Sequence, residues 1–180
     1  VARAHFNGHL SYGAGSWERP DWRIFDVVGL DAYRESHNAW TFGLSIRHAV
    51  RKSHRMGKPL YVFEFGTCSY AGAAERAAQA SDVLEDSDTG MRVSPKLVRD
   101  ETVQATYLDE LFDVFADAGV DGAFVWGFSE PVLTHSPVPG EDLDIASYGI
   151  VAPLPDGTWR PKSAFHTVAA RYRGSETRNL

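Results

Sequence analysis

One carboxylate, Glu64, interrupts the otherwise apolar run Leu60-Tyr-Val-Phe-Glu-Phe-Gly66. Burying such a group costs several kcal/mol unless it is paired or hydrogen-bonded, and functional sites are where that cost is tolerated. A carboxylate so placed can act as a nucleophile, a general acid or base, or one half of a structural ion pair. Other chemistry-bearing residues also stand at or just past the ends of short apolar runs. Asp31 and Tyr33 close Phe25-Asp-Val-Val-Gly-Leu-Asp-Ala-Tyr33, Trp126 lies in Gly122-Ala-Phe-Val-Trp-Gly-Phe128, Glu130 follows it, and Trp17 and Glu18 follow a run from His9 to Ala14.

The remaining candidates are weaker. His135 with Glu141, Asp142 and Asp144 has neither EF-hand nor H-E-x-x-H spacing, so an acidic solvated loop is expected there and no metal. Ser69 and Ser129 lack the G-x-S-x-G context of an activated serine. Cys68 is the one cysteine, which excludes an intrachain disulfide and the usual multi-thiolate metal sites. It either lines the site or, as is usual, is buried and inert, and His5, Asn7 and His9, clustered near the N-terminus, are ligand-facing or merely terminal polar residues.

The elements that must hold these residues follow from the pattern. Four β-rich runs, 9–14, 25–33, 60–66 and 122–128, alternate with helical stretches, the signature of parallel βα units. A helix is predicted over 41–56, stopped by Gly57 and Pro59, and an amphipathic one over 100–118 with Val103, Tyr107, Leu108, Leu111, Phe112 and Phe115 on one stripe and Gly119 as its stop. A third is expected over 161–172 after the turn Pro155-Asp156-Gly157, with 174–180 a frayed tail. Residues 67–99, with a short Ala-rich helix near 73–84, are too long for a simple connection and read as an elaborated loop. Glu64 shares strand parity with Leu60 and Val62, and Asp31 and Tyr33 share it with Val27 and Gly29.

Four parallel strands fit a doubly wound sheet or half of a closed barrel. The segment Gly8 to Gly15 lacks both G-x-G-x-x-G and Walker spacing, whereas polar and aromatic residues collect at every strand's C-terminal end, as in a barrel. The expected fold class is therefore α/β, the C-terminal half of a (β/α)8 barrel, as a single domain over 1–180.

The 180 residues carry 18 Lys and Arg against 24 Asp and Glu, a net charge of −6, with 43% hydrophobic and 12% aromatic residues. This is a globular composition, not a disordered or fibrous one. The acidic balance, with no sustained basic stripe evident, argues against nucleic acid or an anionic membrane as the main partner. No apolar run approaches the ~20 residues of a membrane span. The chain starts at Val1 with no secretory signal, which leaves the compartment undetermined, with cytoplasmic as the default, and allows a natural N-terminus further upstream.

The motif order resembles a known family. Gly57-Lys-Pro-Leu-Tyr-Val-Phe-Glu-Phe-Gly66 followed by Val120-Asp-Gly-Ala-Phe-Val-Trp126 is similar to strands seven and eight of retaining β-glycosidases built on (β/α)8 barrels. Asp26 to Tyr33 resembles their strand six and Leu10 to Trp17 their strand five. A closer resemblance, through Glu64-Phe-Gly-Thr-Cys-Ser-Tyr70 and Asp142-Leu-Asp-Ile-Ala-Ser-Tyr-Gly149, is to uncharacterised bacterial barrels labelled abortive-infection proteins, a label without established chemistry.

The glycosidase resemblance implies hydrolysis of β-linked saccharides without metal or organic cofactor, with Glu64 as the nucleophile. Tyr33 would hydrogen-bond that carboxylate or be a plain interior aromatic, and Trp126 would be a sugar platform or core. Asp31 would bind sugar hydroxyls, position Tyr33, or serve as a cap or ion-pair partner. The family's acid/base usually comes from an Asn-Glu pair on strand four, and this chain has no such dipeptide. The acid/base is then expected outside the chain, with Glu130 and Glu18 as in-chain candidates otherwise read as solvated loop acids. The competing expectation is a non-catalytic barrel that binds carbohydrate or a protein. A half-barrel has open strand edges, so an N-terminal half-barrel or a second copy is expected to cover them.

Overall fold

A computed structural model describes residues 1–88 and 90–176. Four strands, β1 (Gly13–Ala14), β2 (Val28–Asp31), β3 (Leu60–Glu64) and β6 (Gly122–Ala123), form one parallel sheet in the order β1-β2-β3-β6. Between them lie α1 (Phe42–Arg55), then α2 (Ala73–Arg76), the hairpin β4 (Leu84–Ser87) and β5 (Gly90–Val93), and α3 (Glu101–Ala118). After β6 come a second hairpin, β7 (Val151–Pro153) and β8 (Trp159–Pro161), and α4 (Ser163–Glu176). The tail expected over 174–180 begins as helix through Glu176; residues 177–180 lie outside the described ones.

Strand order and layering decide between the two architectures. A doubly wound sheet reverses its order at a switch point and is covered on both faces, whereas here the strands follow one another in chain order. Val28, Leu30, Leu60, Val62, Phe65, Ala123 and Val125 join one core with Phe42, Ile46 and Val50 of α1 and Leu108, Leu111 and Phe115 of α3. The opposite face carries mutually packed rings of Tyr61, Phe63 and Phe124, with centroids 6.0–6.2 Å apart. Phe124 is half-exposed. Helices outside, side chains inside and sequential parallel strands are the construction of a (β/α)8 barrel, present here as a half.

Local chemistry explains the element limits. Asp100 caps α3 by accepting from the N–H groups of Thr102 and Val103, and Gly119 ends it at φ 79°. At the N-terminal side of the sheet the Asp121 carboxylate accepts from His54 Nε2 and from the Leu60 N–H, both at 2.8 Å, tying α1, β3 and the entry to β6 together. The loop over 67–99 contains the first hairpin. Its strand Leu84-Glu-Asp-Ser87 has no apolar alternation to announce it.

Candidate active site at the C-terminal strand ends

The position of Glu64 depends on an irregularity in β3. Leu30 pairs with Val62, but the next residue, Asp31, pairs with Glu64, so Phe63 is an extra residue in β3. Such a bulge re-aims the side chains that follow it. Leu60 and Val62 face the helices, and after the bulge Phe65 does so too, against Phe112 and Phe115. Glu64 is thereby released from the helix-facing parity of Leu60 and Val62 that the sequence assigned to it. Its Oε2 accepts a hydrogen bond from the Tyr33 hydroxyl at 3.2 Å.

Asp31 stands beside Glu64 in register, one strand over, with Gly13 leaving room for its carboxyl and Gly29 for the Phe63 ring. A Cβ on Gly29 would lie 2.3 Å from the Phe63 ring, and one on Gly13 would lie 2.9 Å from Asp31 Oδ1. That oxygen is buried and accepts no hydrogen bond among the described residues. Burial, then the negative charges of Glu64 and Glu18, push the Asp31 carboxyl above the usual carboxylate range. Burial and Glu64 likewise raise the Tyr33 phenol, so Tyr33 stays a donor across the physiological range.

Trp126 is adjacent. Its N–H donates to the Phe65 carbonyl at 3.0 Å, and a Cβ on Gly66 would meet the Trp126 carbonyl oxygen at 2.4 Å. Only a glycine lets the ends of β3 and β6 approach so closely. Trp126 is half-exposed, and the peptide bond joining it to Gly127 is cis. Trp17 is 80% exposed on the rim beyond β1, its ring against Gly15. Glu18 is held at that rim by the Tyr12 hydroxyl at 2.5 Å and the Gly15 N–H at 2.8 Å, and these bonds lower its carboxyl.

Glu130 turns away from solvent and accepts from the Tyr148 N–H at 2.9 Å. Burial raises its carboxyl, partly offset by Tyr148 and by the charge of Lys162. It is a half-buried acid, not the solvated loop acid expected. Tyr148 connects it to the site, since its ring packs edge-on against Tyr33 with centroids 6.3 Å apart. The sequence left Tyr148 unassigned, although it lies in the conspicuous segment 142–149.

In the acidic loop Glu141 is exposed, but Asp142 and Asp144 are buried, not solvated as expected. Asp142 receives a two-pronged bond from Arg99 at 2.8 Å on each arm and a contact from His135 Nδ1 at 2.9 Å. Asp144, fully buried, meets Arg99 at 2.8 Å and the buried Lys162 at 3.3 Å. Burial alone would raise Asp142, but its bonds to Arg99 and His135 outweigh that and hold it below the usual range. Desolvation lowers Lys162. No group of three or more His, Cys, Asp or Glu among the described residues is arranged to hold a metal. Gln104, on the apolar stripe of α3, is fully buried and donates to the carbonyls of Thr67, Tyr148 and Gly149, pinning the loops after β3 and β6 to one helix.

No family profile matches the chain, and no curated protein is similar to it in sequence. Solved structures are similar in fold. A GH113 β-1,4-mannanase aligns with TM-score 0.62 and 19% identity over 95% of this chain and 47% of its own. A GH113 β-mannanase from Alicyclobacillus acidocaldarius aligns with TM-score 0.57 and 15% identity over 96% of this chain and 47% of its own. The fold is half of a (β/α)8 barrel. The chain spans about half the length of these structures, and nothing in the comparisons links it to abortive-infection proteins. Within the half-barrel, Glu64, Tyr33, Asp31 and Trp126 gather at the C-terminal strand ends, Trp17 and Glu18 stand on the rim, and Glu130 lies behind Tyr148.

Proposed function

We propose that this chain is the catalytic C-terminal half of a retaining glycoside hydrolase acting on β-linked saccharides. The observation that carries the reading is the Tyr33–Glu64 hydrogen bond at the ends of β2 and β3 in a half-barrel of glycoside-hydrolase type. Glu64 Oε attacks the anomeric carbon, the glycosidic C–O bond breaks, and a carboxylic acid supplied from outside this chain gives its proton to the leaving oxygen. That carboxylate then takes a proton from water, whose oxygen attacks the same carbon and releases Glu64. Tyr33 donates to the nucleophile and fixes its aim, Asp31 offers a carboxyl to sugar hydroxyls, and Trp126 offers its indole face to the sugar ring. Trp17 and Glu130 contribute at the rim and behind Tyr148. No metal or organic cofactor enters these steps.

The sheet ends in unpaired edges at β1 and β6, and its inner face exposes aromatic rings. An N-terminal half-barrel is the covering that also supplies the missing acid; a second copy would cover the edges but supply only another Glu64 site. The GH113 neighbours make an aryl β-mannoside the first substrate to try. In the full-length protein Glu64→Gln should abolish its hydrolysis, and an unchanged rate would exclude Glu64 as nucleophile. The absence of an Asn-Glu dipeptide favours a second reading, a barrel that binds saccharide without cleaving it; saccharide binding with no turnover in the wild type would select it.

A further inference from the structure

The outer surface of α1 is basic, although the chain as a whole carries a net charge of −6. None of its 14 residues is Asp or Glu, while Arg47, His48, Arg51, Lys52, His54 and Arg55 are basic. The helix buries Phe42, Ile46, Val50 and Ser53. On the side opposite that face, at helical spacing, run Leu44, Arg47, Arg51 and Arg55, and Trp40 stands in the turn just before the helix, four residues ahead of Leu44. Trp40 is 97% exposed and Leu44 64% exposed. Arg47, Arg51, Lys52 and Arg55 are exposed and form no ion pair among the described residues. The ridge corrects the expectation that no sustained basic stripe exists.

Two features of this ridge are unfavourable in isolation. Like charges four residues apart, as in Arg47, Arg51 and Arg55, destabilise a helix, and an exposed Trp and Leu leave apolar surface in water. Both become favourable against one kind of surface, an anionic phospholipid bilayer. There Trp anchors at the headgroup level, a Leu beside it is withdrawn from water, and basic residues meet the negative surface potential. A nucleic acid would answer the arginines but leave Leu44 without a counterpart. Because α1 belongs to the outer helix layer, completing the barrel on the sheet's inner face leaves the ridge open.

We propose that the ridge Trp40, Leu44, Arg47, Arg51, Arg55 is a peripheral docking surface for an anionic lipid bilayer. No helix among the described residues is long and apolar enough to cross a membrane, and the ridge offers surface contact alone. The proposal does not depend on the reading of Glu64.

The test is sedimentation of the full-length protein with phosphatidylcholine vesicles, with and without phosphatidylserine, at low and high salt. Binding is expected only with phosphatidylserine and should fall with salt. Each basic residue at such a surface is worth about five-fold in partitioning, so Arg47→Glu with Arg51→Glu should weaken it by ~25-fold or more. Trp40→Ala should weaken it while leaving the salt dependence unchanged, and thermal unfolding of each variant should match the wild type. Absence of binding to phosphatidylserine vesicles, equal binding by the Arg variant, or tighter binding to single-stranded DNA than to the vesicles would each overturn the proposal.

Discussion

Tyr33→Phe removes one hydroxyl and leaves the ring, so it isolates the hydrogen bond to Glu64. In the folded chain that hydroxyl donates to Glu64 Oε2 at 3.2 Å, while the ring packs edge-on against Tyr148 and against the core under α1 and α3. A hydrogen bond to a charged group contributes about 1.5–3 kcal/mol, and the length of this one places it at the lower end. At 1.36 kcal/mol per factor of ten in rate, its loss should lower kcat/KM by about ten-fold. The phenylalanine keeps the packing, so the thermal midpoint should move by only a few degrees. The assay is hydrolysis of an aryl β-mannoside by the full-length protein, with kcat and KM read separately and the midpoint measured in parallel. A kcat/KM within two-fold of wild type, with the fold intact, would refute the claim that Tyr33 aims the nucleophile.

Three further outcomes follow. Asp144→Ala strands the buried Lys162 and should cost about 3–5 kcal/mol of stability in a denaturant titration, whereas Asp144→Leu with Lys162→Met should cost much less. Gly66→Ala pushes a methyl to 2.4 Å from the Trp126 carbonyl and should cost about 1–3 kcal/mol by thermal unfolding, with activity falling as the strand ends part. Asp31 and Asp142 should respond oppositely to pH. A raised folded-state carboxyl destabilises the fold once pH exceeds its unfolded value, so Asp31→Asn should raise stability at pH 7 and have no such effect below about pH 4. The lowered Asp142 carboxyl contributes stability above about pH 4 that is lost as pH falls through its folded value, so Asp142→Asn should destabilise at pH 7 and lose that effect under strongly acid conditions.

The strands were legible because continuous apolar runs ending in polar residues have few other readings, and the helices because Asp100, Gly119 and Gly57 mark their ends. Sheet order and one-sided helix cover then turned an expected half-barrel into an observed one. Glu64 was legible as an anomaly but not in its direction, because a one-residue bulge at Phe63 reverses what strand parity implies. The ion-pair network was not legible, since Arg99 and Asp144 lie 45 residues apart and no local pattern joins them. The loop acids therefore read as solvated. Gln104 was hidden among apolar neighbours, its three acceptors belonging to loops distant in sequence. The ridge on α1 was lost in the net charge, which averages a basic helix into an acidic chain.

In the proposed reaction Glu64 forms a covalent bond to the sugar. The direct measurement is peptide mass mapping of the full-length protein after incubation with a 2-deoxy-2-fluoro mannoside bearing a good leaving group, which slows release of a glycosyl-enzyme intermediate. One added glycosyl mass is expected on the peptide containing Glu64, absent in Glu64→Gln. An unmodified Glu64 peptide in protein that hydrolyses the parent aryl β-mannoside, or the added mass on another carboxylate, would contradict it.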